Sequence, residues 1–373
     1  MIKVIHICDK FGVRGSTTHG VSRFFAFVLP RHDATRFDVR LYALKEPDPS
    51  SRALEERGVS LKYLHRSKLR PGILSSFLDV IRTERPDILH LHGWIAANFG
   101  RLAGWMTSVP TIVHEHGVDP KFPLSQRLAD RLLAPCTHTG LTVAESVRRF
   151  MVANRSMPAS KIRLIYLGVP LDEFHPADAQ VVSDEKARLG IPPESPVIGA
   201  VGRADVQKGI TYLIQAASWV LKEAPEARFL IVGDGPKLDE LKSEAQSLGI
   251  GDKVVFAGHR DDVPVVQTMM DIQAFPSLWE GTPLTVFEAL AMGRTIVSTD
   301  VDGLGEVLED GRSALIVPPA QPHALADAVV RLLRDRDLAS RLAAGAKKSS
   351  RDYDISRTVR SLEALYEEIG NGG

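Results

Sequence analysis

The chain has 373 residues, 44% hydrophobic and 25% charged, with no formal net charge. That is the composition of a soluble globular protein of about two domains. Two cysteines, Cys8 and Cys136, exclude a disulfide framework and fit a reducing cytoplasm.

The start, MIKVIHICD, is too short and too soon charged for a signal peptide, and no run of about 18 apolar residues exists to span a membrane. Residues 1–178 carry a net +8 and the remainder −8. The first half is therefore suited to meet something anionic, although chance dispersion of charge gives the same sum.

From the N-terminus, short β-rich runs alternate with helical patterns. VIHIC (4–8), DVRLYAL (38–44), DILHLHG (87–93), TIVHEHG (111–117), HTGLTVA (138–144) and IRLIYLG (162–168) read as strands, with helical stretches at 20–29, 50–57, 72–84 and 95–106. Residues 171–196, LDEFHPADAQVVSDEKARLGIPPESP, are rich in proline and charge and read as an interdomain connection that serves as a hinge. The alternation resumes with VIGAVGR (197–203), ARFLIVGDG (227–235), KVVFAG (253–258), IQAFPS (272–277), TIVST (295–299) and ALIVPP (314–319). Helices are expected at 208–223, 236–248, 283–292, 322–333 and 336–349, and an amphipathic segment from 355 closes the chain. This pattern predicts an α/β protein of two doubly wound parallel sheets. Such sheets bind ligands at the carboxyl ends of their strands, and a cleft between two of them is the default active site.

VGRADVQKGI (201–210) follows a strand and opens a helix. Arg203 and Lys208 there place two cations beside a helix start, the makings of a phosphate site. VGDGPK (232–237), with Gly233, is a second glycine loop after a strand. A plain βα turn with solvated charges is the competing reading of either loop. No GxGxxG with a following acid and no GxxxxGK[ST] occurs, which disfavours nicotinamide enzymes and P-loop nucleotidases.

LWEGTPLTVFEAL (278–290) holds Glu280 and Glu288 with seven residues between them. Thr282 is the expected cap, Pro283 suits the first helical position, and Gly293 closes the helix. Glu288 is the one charge in an apolar helix and needs a hydrogen-bonding partner; the hydroxyls of a ribose or sugar would serve. Glu280 is expected to project from the loop before the helix. Amides near Leu284 and Thr285 point at whatever anion sits at the helix start. The alternative is a helix with one solvated glutamate.

The pairs His90/His92 and His114/His116 end two first-half strands, with both rings of each pair on one face. The spacing tempts a zinc reading, but no further ligands are arranged with them. A histidine that binds substrate is the preferred reading, and no metal is expected. Asp300-Val-Asp302 reads as a loop feature, since Arg203 and Lys208 already supply positive charge.

VGRADVQKGI, AFPSLWEGTPLTVFEALAMG and TDVDGLGEVLEDGRSALIVPP together resemble the retaining glycosyltransferases of family 4, of GT-B fold, whose hallmark is the Glu-x7-Glu spacing. The resemblance is strong over residues 195–320 and rests in the first half on TIVHEHG and the loop around Gly20. It implies an acceptor-binding domain at 1–178, a nucleotide-sugar-binding domain at 179–354, and a C-terminal helix, 355–373, returning to the first domain. It implies that Arg203 and Lys208 bind the donor diphosphate and stabilise its growing charge. It gives Glu280 the donor sugar, Glu288 the ribose, the turn Gly281, Thr282, Pro283, Leu284 and Thr285 the sugar and phosphate, and the backbone near His259 and Arg260 the base. His116 matches the family's first-domain histidine at the reacting centre. Where the family often has two glycines in the first-domain phosphate loop, this chain has His19 and Gly20.

The expected partners are therefore a nucleotide diphosphate sugar and a hydroxyl acceptor, namely a glycan, a lipid-linked glycan or a small molecule. No cofactor, no metal and no nucleic acid is expected. A nucleotide-sugar epimerase-type enzyme on the same fold and a non-catalytic nucleotide-sugar-binding protein are the rivals; a phosphorylase lacks its pyridoxal lysine signature. LKYLHRSKLRPGILSSF (61–77) joins basic residues to an apolar run, which raises peripheral contact of the basic N-terminal domain with the inner membrane face. A solvated loop and a core-facing helix fit that segment equally.

Overall fold

The structure is a computed structural model that describes residues 1–11, 20–65, 72–118 and 121–371. The chain forms two compact units, Met1–Leu167 with Ile355–Gly373, and Gly168–Asp354.

In the first unit the strands are β1 Ile2–Cys8, β2 Phe37–Ala43, β3 Leu61–Tyr63, β4 Ile88–His92, β5 Thr111–Glu115, β6 Thr139–Thr142 and β7 Ile162–Leu164. They pair in the order β3-β2-β1-β4-β5-β6-β7, every pair parallel. Central strands buried on both faces explain runs such as ILHLH, whose five residues are all buried. Ile5, Ile7, Leu89, Leu91 and Val113 pack against Phe77, Ile81, Ala96 and Ala97 of the flanking helices. Each such burial stabilises by about 1.5–3 kcal/mol for the larger side chains. The closing helix, Ile355–Gly370, buries Val359, Leu362, Leu365, Tyr366 and Ile369 and packs on β1 and on helix Gly20–Val28.

The second unit has β8 Val197–Val201, β9 Arg228–Val232, β10 Val254–Gly258, β11 Ile272–Phe275, β12 Thr295–Thr299 and β13 Leu315–Val317. Their order is β10-β9-β8-β11-β12-β13, again all parallel. In each sheet the chain builds outward on one side and then crosses to the other, so each has a switch point: between β1 and β4, and between β8 and β11.

Two expectations shift. The division near 178 falls at Leu167/Gly168, because Val169 N donates to Tyr353 O at 3.0 Å and Val169 bridges Asp354, tying 168–178 to the second unit. The connection at 171–196 is partly folded as helix Ala179–Arg188, capped by the Asp178 carboxylate on Gln180 N at 2.8 Å and packed on helix Val263–Met269. It buries no residue fully, so it shows no apolar stripe in the sequence.

Helix Leu124–Leu133 turns its apolar spacing, Leu124, Leu128 and Leu132, to solvent, and the residues it buries are Gln126 and Asp130. Gln126 exchanges amide hydrogen bonds with Asn98 at 3.0 Å each way. Asp130 accepts from Arg101 at 2.5 Å and from Arg155 at 3.3 Å, and Arg155 continues to Glu115. Burial raises the Glu115 carboxyl, an effect opposed by the adjacent Arg155.

Candidate active site

The chemistry-bearing loops of the second unit converge where β8 and β11 part. After β8, the chain turns at Gly209, whose φ of +59° and 2.0 Å clearance from Pro276 O to a would-be Cβ admit only glycine, and enters helix Ile210–Glu223. Asp205 organises this loop: it accepts from Lys208 N at 3.1 Å and from Arg203 Nε at 2.6 Å. Gly233, at φ +130°, lets the loop after β9 lie against Gly202 O, where a Cβ would come within 2.0 Å.

Glu280 is buried after β11. Its carboxylate accepts from Lys208 Nζ at 2.6 Å, Ser277 Oγ at 2.8 Å and Gln207 Nε2 at 3.1 Å. Thr299 of β12 fixes the turn by donating to Ser277 O at 2.6 Å. The glutamate expected to project from a loop is thus drawn in by the lysine expected to act beside it on a different group. An ammonium has three N–H donors and a carboxylate about four acceptor positions, so both retain capacity for a ligand.

The following helix is Leu284–Met292, with Pro283 in the cap position and no side-chain cap. Thr282 was the expected cap; it stands one residue too early and is buried with Gly281 in the turn. Pro283 itself offers the first-turn amides of Leu284 and Thr285 no side-chain acceptor. Thr285 Oγ1 is a buried atom with no hydrogen-bond partner among the described residues. Glu288 is fully buried within the helix, which Gly293 ends in the left-handed conformation at φ +61°. Arg260, after β10, commits its guanidinium to Asp262 at 2.7 Å and to Glu185 of the unforeseen helix, which holds it firmly protonated.

In the first unit, Gly20 opens helix Gly20–Val28 and is exposed, while His19 lies outside the described residues. His90, His92, His114 and His116 share one face of the sheet, and His6 of β1 joins them. His6, His90, His92 and His114 are buried and His116 is half-buried. Burial, reinforced by the neighbouring imidazoles, pushes the first four below the ordinary histidine range. Sequence reasoning missed His6 and Tyr366, whose only signal is strand register and the inward face of the last helix. Ring nitrogens of His6, His90 and His92, and of His92, His114 and His116, lie within 4.8 Å of one another, close enough for metal ligation. The rings are stacked in part, His114 on His116 at 4.0 Å and 23°.

A parallel sheet that gathers Arg203, Lys208, Glu280 and a helix start at its switch point, on a chain of two such α/β units, defines a glycosyltransferase of GT-B type. The family model "Glycosyltransferase Family 4" matches residues 18–173 and "Glycosyl transferases group 1" matches 181–349. Alpha-D-kanosaminyltransferase of Streptomyces kanamyceticus is 30% identical over 80% of this chain and 74% of its own length. UDP-Gal:alpha-D-GlcNAc-diphosphoundecaprenol alpha-1,3-galactosyltransferase of Escherichia coli is 27% identical over 79% of each. Anabaena HepE, solved with UDP and glucose, superposes with a TM-score of 0.84 at 18% identity, covering 98% of this chain and 99% of its own. Sucrose-phosphate synthase of Thermosynechococcus elongatus gives 0.77 at 18% identity with complete coverage of both. The chain belongs to glycosyltransferase family 4, the group 1 glycosyl transferases, and is a transferase enzyme.

Proposed function

We propose that the enzyme is a retaining glycosyltransferase that moves a hexose-type sugar from a UDP- or GDP-sugar to a hydroxyl of a glycan, a lipid-linked glycan or a small molecule. The observation that carries this reading is the Lys208–Glu280 contact at the switch point, with Arg203 in the same loop and a helix start beyond. Arg203, Lys208 and the amides of Leu284 and Thr285 stabilise the charge that grows on the diphosphate as the sugar leaves. No metal is invoked, since those cations meet the charge a divalent ion would meet. Glu280 accepts from a sugar hydroxyl and Glu288 from the ribose. With the Arg260 guanidinium held by Asp262 and Glu185, the backbone after β10 is what remains to contact the base. His116 contributes a hydrogen bond to an oxygen of the bound ligand. The UDP and glucose bound to HepE, and the UDP-galactose in the name of the Escherichia coli relative, support the donor class.

Membrane contact belongs to the same reading, but through a different surface from residues 61–77. Ile73 and Phe77 of that segment are core residues, and 66–71 lie outside the described residues. Helix Leu124–Leu133 instead exposes Leu124, Leu128 and Leu132 at 70, 56 and 78% along one face. Arg127 and Arg131 are exposed beside them, and the helix's one acid, Asp130, is buried. An apolar stripe edged by cations supports peripheral docking on anionic lipid, at the cytoplasmic face. Among the described residues no helix is long and apolar enough to cross a membrane.

Thermal shift and turnover with a panel of UDP- and GDP-sugars test the donor assignment. A matching donor at 100 times its Kd stabilises by about 2.7 kcal/mol. Absence of any shift, hydrolysis or transfer across the panel sinks it.

A further inference from the structure

The loops that follow β8 and β11 are zipped together residue by residue. Leu278 N donates to Gln207 O at 2.8 Å, and Gly209 lies against Pro276 O. The half-buried Gln207 side chain adds two bonds: Nε2 donates to Trp279 O at 3.1 Å and to Glu280 Oε2 at 3.1 Å. That nitrogen carries two hydrogens, and both are engaged. The orientation of the amide is forced, because its oxygen in the same place would face a carbonyl and a carboxylate.

An ionised glutamate has about four lone-pair positions on its two oxygens. On Glu280, Oε1 fills two of them, with Lys208 Nζ at 2.6 Å and Ser277 Oγ at 2.8 Å. Oε2 fills one, with Gln207. No other donor among the described residues meets this carboxylate, so the position that stays open is on Oε2. The last torsion of a glutamate side chain is broad and weakly held. Lys208 and Ser277 both bond Oε1 and leave the carboxylate free to pivot about that oxygen. The Gln207 amide, tied on its other side to Trp279 O, holds the second oxygen and removes the pivot.

We propose that Gln207 is a positioning residue for sugar recognition: its amide fixes the plane of the Glu280 carboxylate and aims the open acceptor position of Oε2 at a single hydroxyl of the donor sugar. This rests on the proposed role of Glu280 toward the donor. It adds that Glu280 takes one sugar hydroxyl and not two, and that Gln207 acts through Glu280 and not on the nucleotide.

A double-mutant cycle in the full-length enzyme tests this, using whichever UDP- or GDP-sugar the enzyme turns over. Gln207→Met keeps the side-chain length and the backbone bond from Leu278, and removes both side-chain donations. Its kcat/KM is expected to fall by about tenfold or more, the scale of a misplaced recognition group. The melting temperature and the calorimetric affinity for the sugar-free UDP or GDP should not change. In a Glu280→Ala background the same substitution should alter kcat/KM by less than about twofold, the ordinary error of additivity. A merely structural zip predicts the opposite: a lower melting temperature, weaker binding of the sugar-free nucleotide, and a penalty that repeats in full without Glu280. If Gln207→Met does not fold, Gln207→Glu, of the same reach but with no hydrogen to donate when ionised, takes its place in the cycle. Full activity in the folded Gln207 variant, beside a Glu280→Ala variant that has lost activity, overturns the proposal and leaves the proposed function intact. A penalty undiminished in the Glu280→Ala background overturns it as well. Full activity in Glu280→Ala, or turnover of no nucleotide sugar, rejects the proposed function and this inference with it.

Discussion

Lys208 Nζ donates to Glu280 Oε1 over 2.6 Å, joining loops 72 residues apart in sequence at the end of two adjacent strands. This contact couples stability to function. Lys208→Ala or Glu280→Ala is expected to lower kcat/KM by about 2–4 kcal/mol. Each single change also strands a partner, so each lowers the melting temperature. The double variant Lys208→Met/Glu280→Gln should regain most of the lost stability while remaining inactive. Steady-state kinetics with the matching donor, beside melting curves of all four proteins, read both effects. Full activity in either single variant would remove these residues from the donor site.

The placement of these candidate residues was legible beforehand for a physical reason. Arg203, Lys208 and Glu280 sit in loops that follow strands, so the βα alternation alone puts them at the carboxyl edge of one sheet, and Glu288 lies within the helix that follows. The Lys208–Glu280 pairing was not legible, because it depends on β8 and β11 being neighbours, and sheet order is a long-range property. The same limit hid His6 and Tyr366, 360 residues apart and in contact. The helix Ala179–Arg188 was masked by its flanking prolines and charges. In helix Leu124–Leu133 the apolar spacing lies on the exposed side, and the polar residues it buries are explained by distant partners, Arg101, Arg155 and Asn98.

The buried histidines predict acid lability of the first unit. His6, His90, His92 and His114 have pKa values depressed by burial below the value of about 6.5 that they regain on unfolding. Between those limits the unfolded chain binds more protons, so stability rises with pH. The contribution is complete above about pH 6.5 and is lost as the pH falls below it, by up to ~1.4 kcal/mol per pH unit for each proton taken up. Urea titrations followed by far-ultraviolet circular dichroism at pH ~7.5, ~6.5 and ~5.5 should show the midpoint nearly flat at first and then falling steeply. A midpoint independent of pH over that range would mean these rings are not buried neutral.

Asp130 is the keystone of the charges buried under helix Leu124–Leu133. It and Arg101 are wholly buried, and Arg155 nearly so. Asp130→Ala leaves Arg101 without a carboxylate and weakens the hold on Arg155, which keeps Glu115. The expected cost is about 3–5 kcal/mol. Asp130→Asn, which keeps the shape and an acceptor, should cost less. Chemical denaturation gives both values, and a loss under about 1 kcal/mol for Asp130→Ala would show the arginines to be hydrated and not buried.

The leucine face of helix Leu124–Leu133 separates membrane docking from folding. Leu124, Leu128 and Leu132 stand in solvent at 70, 56 and 78% exposure, so replacing all three by serine removes little buried area and should leave the melting temperature within a degree or two. Flotation with vesicles of phosphatidylglycerol and phosphatidylcholine should recover the wild-type protein at low salt, lose it on pure phosphatidylcholine, and lose it as ionic strength rises. The triple serine variant should stay at the bottom of the gradient. Arg127→Gln/Arg131→Gln should weaken binding chiefly to the anionic vesicles, because the arginines supply the charge term and the leucines the apolar one. If instead the wild-type protein ignores both vesicle types and the serine variant converts a dimer to a monomer in light scattering, the leucines cover a second copy of the chain and the membrane assignment fails.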